Sequence, residues 1–146
     1  VSGLNVVANI ALGRFVEKIA DDATKILVLL LRVVQADATL RDHDDLAAAL
    51  GANTEANFTN YARKTGITAT IIVDDTNDRV DVDIPDQTWL VAGGATNNGL
   101  VKLGIAYEES ASDAGRVPLT WHTFDVTTDG SDLVAQIAAA GFARAS

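Results

Sequence analysis

The sharpest periodicity in the chain lies between Ile67 and Trp89. Ile67, Ala69, Ile71 and Val73 alternate with Thr68, Thr70, Ile72 and Asp74. After the polar stretch Asp75-Thr76-Asn77-Asp78, Val80, Val82 and Ile84 alternate with Arg79, Asp81 and Asp83. A period of two sets one apolar face inward and one polar face outward. The connection is rich in Asp and Asn, which form turns by bonding their own backbone, so the pattern predicts a β-hairpin. Pro85 ends its second arm because it has no N–H to give to the ladder. A second pattern is the unbroken apolar run ILVLLLRVV over Ile26–Val34. Periodicity alone does not separate a buried strand from a helix in such a run. The β-branched ends and the turn Asp21-Asp22-Ala23-Thr24 before it favour a strand covered on both faces.

Residues 1–7 read as an extended N-terminal arm, leading into a strand over Val6–Ile19 with Ile10, Leu12, Arg14, Val16 and Lys18 on one face. Helical signals are confined to Asp37–Lys64, which predicts one or two short helices. Asp42 can cap, Asp44 and Asp45 suit a first turn, Leu46 and Leu50 share a face, and Gly51 is a natural stop. Phe58, Tyr61 and Ala62 then follow at helical spacing, although the same stretch can begin extended at Phe58. Short strands are predicted over Thr88–Ala92, Leu100–Tyr107 and Val117–Thr127, with a flexible loop at Gly93–Gly99 and an exposed acidic loop at Glu108–Arg116. In the last strand Leu119, Trp121 and Thr123 fall on one face, and Thr120, His122, Phe124 and Val126 on the other. Asp129-Gly130 is a strong hairpin signal, with Leu133–Ile137 as the returning partner of that strand. Seven or eight strands with turns every 8–12 residues or so match an antiparallel β-sandwich or barrel-like domain. The class is therefore mainly β, in a single domain over residues 1–146.

Composition narrows what such a domain does. Apolar residues make up 48% of the chain and aromatics only 5%, so the core is built from Val, Ile, Leu and Ala. The absence of cysteine excludes disulfides, thiolate metal sites and Cys nucleophiles. A formal net charge of −9 argues against nucleic acid as a partner, which needs clustered Lys and Arg. No apolar run reaches the roughly 20 residues that cross a bilayer as a helix, and the first residues lack a basic start and apolar run of signal-peptide type. Val1 is read as following a removed initiator.

Candidate chemistry is sparse. Asp74, Asp75, Asp78, Asp81, Asp83 and Asp86 crowd the predicted hairpin, but the stretch lacks the glycine and terminal Glu of a calcium loop. A solvated acidic face is the simpler account, and no metal or other cofactor is expected. His43 reads as an exposed residue at a helix start. His122 reads as a packed core or interface residue, and neither is paired with a nucleophile. The glycines at 93, 94 and 99 lack the Lys-Ser/Thr of a phosphate loop. Trp89 and Trp121 suit core or subunit packing. No catalytic residue is assigned, and a hydrolase with paired aspartates finds no acid–base pair.

The stretch Ala38–Lys64, with Thr54-Glu55-Ala56-Asn57-Phe58-Thr59-Asn60-Tyr61-Ala62-Arg63 inside it, is followed by a hairpin ending at Thr88-Trp89 and by Val126–Leu133. Together they resemble small virion structural proteins of tailed bacteriophages, over roughly Ala38–Phe142. The resemblance implies a non-enzymatic role on the outer surface of the head: a capsid decoration protein that binds the major capsid protein and assembles as a homotrimer. A second reading is a carbohydrate- or receptor-binding module on a tail or head appendage, with Trp89, Tyr107 or Trp121 as a stacking platform. Self-association is also expected because Ile26–Val34 is apolar on both faces and both termini are apolar and small. The candidate interface comprises Val1, Leu4, Val6, Val7, Trp89, Trp121 and Phe142.

Overall fold

The computed structural model describes residues 5–11 and 15–145. The strands are β1 (Asn5–Val7), β2 (Ile26–Val33), β3 (Thr54–Glu55), β4 (Lys64–Ile67), β5 (Thr70–Asp74), β6 (Arg79–Asp83), β7 (Gln87–Trp89), β8 (Gly99–Glu108), β9 (Arg116–Thr127), β10 (Leu133–Ala135) and β11 (Ala143–Ala145). The α-helices are α1 (Phe15–Asp21), α2 (Asp37–Leu40) and α3 (Leu46–Ala52). The fold is mainly β and every strand pairing is antiparallel. It is sandwich-like, not a closed barrel.

The main sheet has the order β1-β9-β8-β2-β3, with β4 also on the outer edge of β2. One face carries Ile26, Val28, Leu30, Leu103, Ile105 and Tyr107, packed in one core with Val82, Ile84, Trp89, Leu133 and Phe142 of the smaller sheets β11-β6-β5 and β10-β7. The other face carries Leu27, Leu29, Leu31 and Trp121 against Leu40 of α2 and Leu46 and Ala49 of α3. The run is therefore a strand over Ile26–Val33, buried on both sides from Ile26 to Leu31 and emerging into solvent at Val33, and the chain's own helices cover its second side. That removes the self-association argument drawn from this run.

Several expectations need correction. The strand expected over Val6–Ile19 is instead a three-residue edge strand, a 3₁₀ turn at Asn9–Ala11 and helix α1. Phe15 and Ile19 are the buried residues of α1, and their i, i+4 spacing is helical. Leu12 and Arg14, placed on that expected strand, lie outside the described residues. Of the proposed arm, Asn5, Val6 and Val7 pair with His122, Trp121 and Thr120 of β9, so they form a sheet edge.

The first hairpin arm also divides. Ile67 ends β4 on the main sheet, whereas Thr70 begins β5 in the β11-β6-β5 sheet. Gly66, at φ +65°, precedes the corner and takes a conformation that L side chains resist. The turn at 75–78 and the pairing of Asp74 with Arg79 through Thr70 with Asp83 are as the pattern predicts. Asp129-Gly130, by contrast, connects β9 to β10 without making them a hairpin. The Asp129 carboxylate accepts from Ser131 N at 2.9 Å, closing a local turn, and β10 pairs with β7. In the helical region Asp45, not Asp42, is the N-cap, accepting from Ala48 N at 2.8 Å. Helix α3 runs past Gly51 to Ala52, and Asn53 caps it by donating Nδ2 to Ala49 O at 2.8 Å.

Candidate interaction surface

The segment Thr54–Arg63 sits on the open edge of β2. β3 pairs with β2 at Leu31 and Val33, and β4 pairs with it at Ile26 and Val28. The Leu30 backbone between them is satisfied differently. Its carbonyl accepts from Ala56 N at 2.8 Å, and its N–H donates to Tyr61 Oη at 3.1 Å. A phenol thus fills a gap in the ladder, and its own hydrogen goes to Glu55 Oε1 at 2.7 Å. Burial first, then the Glu55 charge, pushes the Tyr61 hydroxyl well above the usual phenol range.

Glu55 belongs to a wider charged cluster. Arg63 donates Nε and Nη2 to the two Glu55 oxygens, each at 2.7 Å, and Nη1 and Nη2 to Asp113 at 2.6 and 3.1 Å. Arg116 donates to Asp113 Oδ1 and Glu108 Oε2, both at 2.8 Å. The Arg63 hydrogen bonds, opposed by burial, hold the Asp113 carboxyl down at about 2. Both guanidinium groups are saturated by carboxylates, so the cluster ties β3, β4 and the β8–β9 connection together. Bidentate Arg–carboxylate pairs are the strong, orientation-specific kind. Sequence reasoning recognised the Thr54–Arg63 motif but not this network, because Asp113 lies far along the chain.

The predicted site residues disperse. Trp89 is 1% exposed, Trp121 0%, Tyr107 5% and Phe142 5%. They are core residues, which corrects their assignment to an interface or a stacking platform. Trp89 Nε1 donates to Ala62 O at 2.8 Å, and Lys64 lies over its ring at 5.3 Å. Val6 and Val7 are half-buried in β1, and Val1 and Leu4 lie outside the described residues. His43 shares a hydrogen bond with Gln35 Oε1 at 2.8 Å, so it is half-buried and not simply exposed. His122 is buried beside Thr120 Oγ1 at 2.8 Å and against Phe142. Burial, aided by the Lys102 charge, lowers its imidazole to about 4.

Among the described residues, no three His, Asp or Glu side chains group as a metal site. The hairpin aspartates separate: Asp81 is buried and bonded to Arg144 Nε at 2.6 Å, whereas Asp75 and Asp78 are exposed at the turn. Val73, Asp74, Asp75 and Arg79 line an open groove of about 420 Å³ at the hairpin tip.

What the fold leaves in solvent is aliphatic. Val73 is 65% exposed and Ile72 41% on the hairpin, and Leu90 is 65%, Val91 55% and Val134 46% exposed at the β7–β10 end. Sequence patterning set Val73 on the inward face of the hairpin and placed Leu90 and Val91 within a strand over Thr88–Ala92, so it anticipated neither the exposed Val73 nor the second group. Compared with known protein families, with curated proteins and with solved structures, the chain matches none.

Proposed function

We propose that this protein is a non-enzymatic virion structural component of a tailed bacteriophage, a decoration protein that binds the outside of the assembled head. The observation that carries the reading is the division between its enclosed and exposed side chains. Aromatic and imidazole groups are enclosed or bonded within the chain, while Ile72, Val73, Leu90, Val91 and Val134 stand in solvent on an acidic molecule. Aliphatic contacts in an acidic frame suit docking onto a protein lattice, with the negative surface kept toward solvent. The carbohydrate-binding reading loses its support, since Trp89, Tyr107 and Trp121 have no face open for a sugar ring. The homotrimeric state rests on the family resemblance alone.

The test is co-sedimentation with undecorated heads assembled from the cognate major capsid protein. Saturable binding, with added density on the outer surface in electron micrographs, is expected. Failure to pellet with heads at any protein concentration or ionic strength would overturn the proposal.

A further inference from the structure

We propose that the outer face at the β7–β10 end, built on Leu90, Val91 and Val134, is a docking anchor whose occupant is a protein surface with an apolar side chain ringed by Lys or Arg. It draws on the virion reading only for which protein that partner is. In β7 and β10, Gln87, Trp89, Leu133 and Ala135 are buried, while Thr88 and Val134, which pair across the ladder, face outward. Leu90, the first residue past β7, stands 65% exposed two positions beyond Thr88, the ladder partner of Val134, which is itself 46% exposed.

Val91 follows at φ +48°, a region that β-branched residues rarely enter. The surrounding residues hold it there. Its N–H donates to Asp132 Oδ1 at 2.8 Å, and its carbonyl accepts from Asn60 Nδ2 at 2.9 Å. Ala92 N donates to Ser131 O at 2.9 Å, and Gly130 N to Ala92 O at 2.8 Å. Glycines occupy the positive-φ positions 93 and 94 immediately beyond, yet position 91 keeps a valine and shows its side chain to solvent. Strain of this kind, held by neighbours from two other segments, fixes two adjacent aliphatic side chains in water.

Charge selects the occupant. Residues 86–99 and 128–141, which make most of this end of the molecule, contain Asp86, Asp129 and Asp132 and no Lys or Arg; Lys64, over the Trp89 ring, is a cation set beside them, so carboxylates outnumber it. A second copy would bring the same carboxylates together on a chain already at −9. A partner with a basic rim and an apolar centre meets both features.

Chemical-shift mapping by ¹H–¹⁵N spectroscopy tests this with three short peptides: leucines flanked by lysines, leucines flanked by glutamates, and serines flanked by lysines. The first is expected to move the amides of Leu90, Val91 and Val134, and the other two to leave them in place. Equal response to the glutamate peptide, or movement of these amides on dilution of the free protein, would overturn the assignment. In parallel, the double variant Leu90→Ser/Val134→Ser is expected to bind undecorated heads about tenfold more weakly than the native chain, with an unchanged spectrum elsewhere. Equal binding by variant and native chain overturns the anchor and leaves the decoration role standing. Native protein that ignores heads but still answers the lysine–leucine peptide overturns the decoration role and supports the anchor.

Discussion

Gly104 shows how tightly single residues are set in this fold. A Cβ built on it would lie 2.3 Å from Trp121 Cζ3 and 3.0 Å from Leu29 Cδ2. The indole lies where a side chain would be, and the smaller core closes over it. Gly104→Ala is expected to destabilise by about 1–3 kcal/mol through overpacking, read as a lower urea midpoint with unchanged slope. Val82, fully buried, makes a complementary case: Val82→Asp is expected to cost about 3 kcal/mol or more through an unpaired buried charge. Asp83→Asn, on the outer face, should shift the midpoint little. His122 gives a pH signature. Its folded pKa of about 4 lies below the unfolded value of 6.5, so the unfolded chain binds the extra proton between those limits. Stability from the neutral imidazole is complete above pH 6.5 and declines as pH falls toward 4, by up to about 3 kcal/mol. Urea melts at pH 7 and pH 5 measure it, and His122→Gln should flatten the difference.

At the level of elements, the edge of β2 is the critical piece. β3 and β4 are two and four residues long, too short to hold an edge by pairing alone. Tyr61 and the Arg63 cluster supply what they lack. Arg63→Met removes the cation that bridges Glu55 and Asp113 and leaves Asp113 only its bond to Arg116, and about 2–4 kcal/mol should be lost. Tyr61→Phe strands the Leu30 N–H and should cost about 1–3 kcal/mol. If the cluster holds the edge, amide exchange in both variants should quicken first at residues 54–67, while the β8–β9 ladder stays protected. Asp113 adds a second acid window. Its pKa is depressed from 3.8 to about 2, so its contribution is present above pH 3.8 and is lost as pH falls through 2, below the His122 window.

As a whole molecule, the chain buries its apolar run between two cores that share one sheet. Thermal melting should be unchanged by chelator, because Asp74 and Asp81 are paired with Arg79 and Arg144 and Asp75 and Asp78 stand exposed at the turn rather than gathered around a cation. A drop of ten degrees or so in chelator would contradict this. Deleting residues 1–7 removes β1 and uncovers the edge of β9 at Thr120–His122, so the truncated chain should melt lower. That differs from the behaviour of a detachable arm, which would leave the melt untouched, and calorimetry of the truncated chain distinguishes the two.

Local pattern was enough for the class and for the turn at residues 75–78, whereas for β2 periodicity left strand and helix open and only the β-branched ends and the preceding turn favoured a strand. Each depends on side-chain spacing or turn chemistry within a few residues. The tertiary structure decided which strand meets which. Asp129-Gly130 signals a turn whatever follows it, and only packing sends Leu133–Ala135 to β7 instead of β9. The same holds for the faces of β9: a register shift between Ile105 and Ala106 puts Leu119 in the larger core and Trp121 in the smaller, though alternation would keep them together. The aromatic residues read as interface candidates became core for a related reason. A tryptophan's preference for burial is written in its side chain, but whether its own chain or another covers it depends on contacts far along the sequence. The exposed Leu90–Val91 pair is the converse, apolar residues held in solvent by a backbone clamp from Asn60 and Asp132 that no local pattern encodes.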